Sequence, residues 1–243
     1  MSAFTPVPPA GRTALALFAD ASIAMRLHVH ARWRTCPLEA IAARVPTTGA
    51  VLDIGCGHGL FASYLALAAH GRRVVGVDLD KRKLVDAATV ADDVAERGGS
   101  LALEVARGGA VPAGPWDAIT IVDVLYLLPT AAQRELVERA AAQLGPGGRL
   151  LVKEMAPTPA WKARWNRFQE TLAVKVVGFT ASESAGFTFV DPAEMRALLE
   201  ACGLEVSEVP LDRGYVHPHL LLVGARPGPD PDPGNSVDPP GAV

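Results

Sequence analysis

The chain has 243 residues, 49% of them hydrophobic, and a formal net charge of −3. That length favours one large domain with a sizeable core, and the near-neutral balance without any dense basic run argues against a dedicated nucleic-acid binder. Three cysteines, Cys36, Cys56 and Cys202, are too few and too scattered for a disulfide framework or a zinc knuckle, which fits a reducing, cytoplasmic location.

The opening "MSAFTPVPPAGR" lacks the charged start and apolar core of a signal peptide. No uncharged apolar run reaches the roughly 18–20 residues of a membrane span, which leaves a soluble protein or one that rests peripherally on a membrane. Residues 1–11, rich in Pro and Ala, are expected to be flexible. From Arg12 to about Trp33 the pattern reads as one helix, with Leu15, Phe18, Ile23 and Leu27 along one side. Pro37 opens a short second helix, where a first-turn N–H is not needed, and Val45-Pro46 ends it. Residues 12–46 thus form an N-terminal helical cap.

A regular alternation follows. "AVLDI" (50–54), "RVVGVD" (73–78), "SLALEV" (100–105), "DAITIVDV" (117–124) and "RLLVKEM" (149–155) read as strands. Between them "LFASYLALAAH", residues 81–97 and residues 130–144 read as helices, the last stopped by a "GPGG" turn. Apolar strands alternating with helices predict a parallel sheet covered on both faces. The segment 157–190 carries an aromatic stripe, Trp161, Trp165 and Phe168, with Lys162, Arg164 and Arg167 interleaved, and is expected to cover a substrate. Asp191 caps a helix that stops at Gly203. "LEVSEVPL" and "HLLLVGAR" are joined by too short a link for a parallel return, so they predict an antiparallel pair. The domain spans 12–226, and 227–243 is expected to be a disordered Pro-rich tail.

The most informative stretch is "VLDIGCGHG", residues 51–59. Glycines between a buried strand and a helix let a ligand press against the backbone at a helix N-terminus. The spacing is G-x-G-x-G, Gly55, Gly57 and Gly59, with Leu60 where the dinucleotide fingerprint places its third glycine. Asp78 ends the second strand about twenty residues on, where an acid can accept both hydroxyls of a ribose. The ligand expected from the residues therefore carries a ribose but no pyrophosphate. Asp53 and Asp78 could each merely cap a turn; together beside the loop they favour binding.

"VLDIGCGHG", "VVGVDLD", "WDAITIVDVLYLLP" and "LGPGGRLLVKE", in that order over residues 50–155, resemble the class I S-adenosylmethionine (SAM)-dependent methyltransferases. The resemblance implies a Rossmann-like, doubly wound α/β sheet of seven strands in the order 3-2-1-4-5-7-6, the last antiparallel, with SAM as cofactor. It implies that Asp53 braces the glycine loop and helps hold the methionyl amine, and that amides of Gly55, Cys56, Gly57 and Gly59 cup the methionyl carboxylate. It further places Asp78, with Leu79 beside it, at the ribose, and Asp123 and Val124 near the sulfonium. Many members carry an acid after the third strand; "LEVARGGAVP" has Ala106 or Arg107 there, so backbone groups of Arg107 and Gly108 are expected at the adenine.

An oxygen acceptor needs a base. Glu154, at the end of the fifth strand, is the first candidate, ahead of Tyr126 and of His217 and His219 in "YVHPH". "DVLY" departs from the Asn/Asp-Pro-Pro-aromatic motif associated with methylation of planar amino groups, which favours a small or lipid-like acceptor methylated at oxygen over nucleic acid. The cationic stretch "RLHVHARWR" (26–34) is a second covering element. No metal set is expected. An NAD(P)-dependent oxidoreductase, which needs the other glycine spacing, and a SAM-binding protein without transfer activity are the alternatives.

Overall fold

The computed structural model describes residues 6–87, 89–155, 191–211 and 219–228. Within them one sheet runs β3-β2-β1-β4-β5-β7-β6. Its strands are β1 (Thr48–Ile54), β2 (Gly71–Asp78), β3 (Ser100–Val105), β4 (Trp116–Val122), β5 (Leu144–Met155), β6 (Glu205–Pro210) and β7 (His219–Ala225). The first five pair in parallel, and β7 runs antiparallel to both β5 and β6. This is the order and the antiparallel closure that the resemblance implies. The helices are α1 (Pro9–Ala16), α2 (Ile23–Thr35), α3 (Leu38–Ala42), α4 (Leu60–Ala68), α5 (Lys81–Asp86), α6 (Val90–Glu96), α7 (Thr130–Ala142) and α8 (Pro192–Ala201). None of the described helices is long and apolar enough to cross a membrane.

The strands are buried on both faces because crossover helices cover each side, and their apolar residues divide between two clusters. Val51, Val74, Ala118 and Leu151 face α1–α4 and α6; Leu52, Ile119, Leu150 and Leu222 face α7 and α8.

Three boundaries differ from the sequence reading. The single helix expected over 12–33 is two helices, and it begins at Pro9, inside the stretch expected to be flexible. Ser22 breaks it: its side chain accepts from the Met25 N–H and starts α2 anew. α1 then folds back onto α2, so closely that a Cβ on Gly11 would stand 2.4 Å from the Trp33 ring. The helix expected over 81–97 is likewise divided, and the break keeps Leu84, Ala87, Val90 and Val94 buried together. The "GPGG" turn lies inside β5, where pairing jumps from Trp116↔Leu144 to Ala118↔Arg149. The expected cover at 157–190 and most of the expected tail, 229–243, lie outside the described residues.

One buried side chain binds the cap to the sheet. Arg72, 4% exposed, donates from Nε to the Pro46 carbonyl (2.6 Å) and from Nη1 to Leu65 (3.0 Å). Its Nη2 reaches the carbonyls of Ala42 (3.2 Å) and Val45 (2.9 Å). A planar fork of donors is what four separate carbonyls at the ends of α3 and α4 require. Replacing it by Leu strands those acceptors, so Arg72→Leu should lose about 3 kcal/mol of stability in urea unfolding, and Arg72→Lys should recover only part of it.

Candidate functional site

The order 3-2-1-4-5 changes direction between β1 and β4, and ligands in such sheets bind beyond the strand ends at that reversal. A cavity of about 690 Å³ lies there, lined by the glycine loop, α2, α4 and α7 and the turns after β2, β3 and β4.

The glycine loop needs its glycines. Gly55, Gly57 and Gly59 have φ of +74°, +59° and +83°, the left-handed region that side chains disfavour. At Gly55 a Cβ would also stand 2.3 Å from Val124, so the turn after β4 closes directly on the loop. At Gly57 a Cβ would meet nothing within 4 Å, because the cavity begins there.

Four amides of the loop have partners within the chain. Gly55 and Cys56 donate their N–H groups to the Val77 carbonyl (2.8 and 3.0 Å), Gly57 donates to Asp78 Oδ2 (2.8 Å), and Gly59 donates to the Cys56 carbonyl (3.0 Å). Gly59 caps α4 without a side-chain bond, so the positive end of the α4 dipole is what the loop presents at the cavity. The bracing expected of Asp53 is done by Asp78, whose Oδ1 also accepts from the Asp80 N–H (2.8 Å). A carboxylate has about four acceptor sites, so Asp78 keeps capacity for a ligand at the cavity wall.

Asp53 instead turns to β4. Its Oδ1 accepts from Thr120 Oγ1 at 2.7 Å, and it is 2% exposed. Burial pushes its carboxyl up to about 7, against the pull of Thr120 and Arg32. Asp123, at φ +56°, solves the same problem with cations: Oδ2 accepts from Arg32 Nη1 and Oδ1 from Lys153 Nζ, both at 2.6 Å. Burial alone would raise its carboxyl, but Lys153 and Arg32 outweigh that and hold it below the usual range. Lys153 is fully buried. The carboxylate expected near a cofactor is thus occupied by the chain itself, and Val124 beside it lines the cavity.

Glu154 is not among the lining residues. Its Oε1 accepts from the Leu125 N–H at 3.2 Å, and its buried Oε2 has no partner among the described residues. Burial and the charge of Asp123 push the carboxyl up to about 8. Glu154 thus anchors the turn after β4 from outside the cavity lining. Gln133 secures the other end of that turn through the Leu128 carbonyl (2.8 Å). Tyr126 does line the cavity, but burial and Asp123 raise its hydroxyl well above the usual tyrosine range. His217 lies outside the described residues, and His219 is buried opposite Met155.

Beyond β3, Gly108, with Ala106 and residues 109–111, lines the cavity; Arg107 does not, although it opens the same turn. Leu79 and Cys56 line it as well. Sequence reasoning missed Thr120, Lys153, Lys83 and His28 as site residues. Lys153 carried a signal, a cation directly after the apolar run Leu150–Val152 of a strand expected to be buried. His28 and Arg32 lie in the stretch expected to cover the site, and α2 does form a wall of it. The His28 ring meets that of His58 edge-on, centroids 5.5 Å apart. Burial, then Arg32 and Lys83, hold His28 below the ordinary histidine value.

A family model described as a methyltransferase domain matches residues 25–209. The ubiquinone biosynthesis O-methyltransferase of Xanthomonas axonopodis pv. citri is 29% identical over 180 residues, 71% of this chain and 70% of that protein. The protein of the same name from Xylella fastidiosa is 30% identical over 180 residues, 71% of this chain and 68% of its own length. Among solved structures, magnesium protoporphyrin IX methyltransferase from Synechocystis PCC 6803, with bound SAH, has a TM-score of 0.60 at 18% identity, over 88% of this chain and 93% of that one. At that identity the likeness concerns the fold.

The buried carboxyl of Glu154 sets a pH dependence. Its folded-state value, about 8, lies above the ordinary glutamate value, so its contribution to stability is complete in acid and is lost as pH rises towards 8. Asp53 adds a similar loss that ends near 7. Between about pH 5 and 8 the stability read from thermal melts should therefore fall more steeply for the native chain than for Glu154→Gln, by roughly 1 kcal/mol per pH unit, and the difference should level off above that range. Parallel melting curves for the two proteins would remove Glu154 from this role.

Proposed function

The chain belongs to the S-adenosylmethionine-dependent methyltransferase family, and from that premise we propose that it methylates an oxygen of a small, lipid-like acceptor held in the cavity beyond β1 and β4. The observation that carries this is the pairing of the Gly55–Gly59 loop with Asp78, which backs the loop and faces the same cavity. The acceptor class is supported by the two relatives, both ubiquinone biosynthesis O-methyltransferases.

The residues present fit the cofactor. Asp78 retains acceptor sites for a ribose diol, and Asp53, poised at about 7, gains by ionising beside an ammonium group. The positive end of α4 suits a carboxylate. Backbone at Ala106, Gly108 and Gly109 would border the adenine, with Leu79 covering its sugar side. When bound, SAM supplies a methyl group activated by a sulfonium.

The protein's own task is then to hold the acceptor oxygen in line and to take its proton. His28 is the base in this reading, because it lines the cavity and its value is held below that of a free histidine. Phe61, Leu38 and Val29 give the same cavity an apolar wall. Lipid-like chemistry is consistent with so apolar a wall.

Two measurements test this. SAH at ten times its dissociation constant should stabilise the chain by about 1.4 kcal/mol in thermal melts, and Asp78→Ala should abolish the shift. Incubating the protein with a lipid extract and SAM carrying a labelled methyl should give labelled product, identifiable by mass spectrometry as a methyl ether or ester. For that reaction, rate should fall on acidification only below the ordinary histidine range, and His28→Gln should flatten this limb while lowering kcat by about a hundredfold. Labelled product on nitrogen or carbon would overturn the acceptor assignment.

A further inference from the structure

Six large hydrophobic side chains among the described residues are exposed: Ile23, Leu27, Leu79, Val85, Val105 and Leu127. All belong to elements at the end of the sheet where the cavity opens. Leu79 follows β2, Val105 closes β3, Leu127 follows β4, and Val85 is on α5, which starts directly after β2. Ile23 and Leu27 are one turn apart on α2, 75% and 67% exposed, and the same helix gives His28, Val29 and Arg32 to the cavity wall. Apolar side chains scattered singly over a surface need no explanation; a group of them around one opening does.

The two exposed faces of α2 differ in purpose from its inner face. Val29 and Trp33 point into the core, so packing of α2 is already provided for, and Ile23 and Leu27 are surplus to it. Charge separates in the same way. The chain carries a net −3, yet α2 contains Arg26, Arg32 and Arg34 and no acid. Arg32 is turned inward to Asp123, whereas Arg26 and Arg34 are exposed. Across the opening, α5 begins with Lys81, Arg82 and Lys83, of which Arg82 is held by Asp80. Apolar side chains among unpaired cations are the composition of a surface that lies on anionic lipid.

We propose that this face docks on an anionic lipid bilayer, with Ile23 and Leu27 entering the headgroup layer and Arg26 and Arg34 meeting its phosphates. Leu79 and Leu127 are both exposed and part of the cavity wall, so a chain docked this way opens its cavity towards the bilayer. The use of such docking, loading an acceptor from the membrane, rests on the lipid-like acceptor proposed above. The docking itself needs no turnover and is tested without it.

The full chain is sedimented with vesicles of phosphatidylcholine alone and with vesicles half phosphatidylglycerol, with a vesicle-free control for aggregation. It should pellet with the anionic vesicles at low salt and be released as salt rises. Ile23→Glu/Leu27→Glu and Arg26→Glu/Arg34→Glu should each weaken partitioning by about tenfold or more. Neither pair lines the cavity, so both variants should keep the thermal shift with SAH. Absence of binding by the native chain, equal binding to both vesicle types, or undiminished binding by Ile23→Glu/Leu27→Glu would each overturn the proposal. So would a concentration-dependent dimer that the same substitutions dissociate while vesicles are ignored, since the face would then join two copies. Loss of the SAH shift in the native chain would instead count against the cavity reading and leave the vesicle result standing.

Discussion

Three aspartates close three neighbouring parallel strands, and the site depends on how each buried negative charge is met. Asp53 ends β1, Asp78 ends β2 and Asp123 follows β4, all 9% exposed or less. Three unpaired charges at such depth would not be tolerated. The chain gives each a different partner. Asp78 takes two backbone N–H groups, Asp123 takes two cations, and Asp53 takes one hydroxyl and has its carboxyl pushed up to about 7. Two are compensated by the fold. The third is compensated least, and it is the one that a bound cation would complete.

The compensation at Asp123 has a mechanical consequence. Lys153 belongs to β5 and Arg32 to α2, so one carboxylate joins the centre of the sheet to the N-terminal cap. Arg32 strengthens the join by donating also to the Val122 carbonyl (3.2 Å). A pair of this kind, once formed, is costly to break, because removing one partner strands a buried charge. α2 is thereby fixed against the cavity, and His28 and Val29 form part of its wall. The left-handed backbone of Asp123, at φ +56°, is held by the same contacts, and the turn that follows it is clamped by Glu154 and Gln133. Local strain at such a point is tolerated when its surroundings over-determine it.

The architecture was legible because its signals are repeated along the chain. β1, β2, β3 and β4 each announce themselves as apolar runs, and two of them end in acids beside glycines. The antiparallel closure followed from a link too short to cross over. Partners were not legible. Asp53 and Asp78 were recognised as site residues, but which of them braces the loop depends on the distance between Gly57 and the end of β2, and spacing alone does not give that. Helix breaks at Ser22 and near Ala87 were hidden because apolar spacing continued through them; a single capping hydroxyl decided the first. Glu154 looked like a base from its place at a strand end. Its depth was not legible there: burial and the charge of Asp123 push the carboxyl up to about 8, and it lies outside the cavity lining.

Depth also organises the charge of the whole cavity. Negative groups lie at its floor, on strand ends, each held by the chain. Nearer to water its lining carries both signs, Lys83 and Arg139 together with Asp80 and Glu135. The chain's small net charge conceals this layering, because the sum does not register which charges are buried. The buried acids are screened from an approaching molecule by their own partners. A cationic group small enough to reach the floor finds Asp53 with its compensation incomplete. The floor of the cavity is thus set by one requirement, that charges on parallel strand ends be neutralised from within.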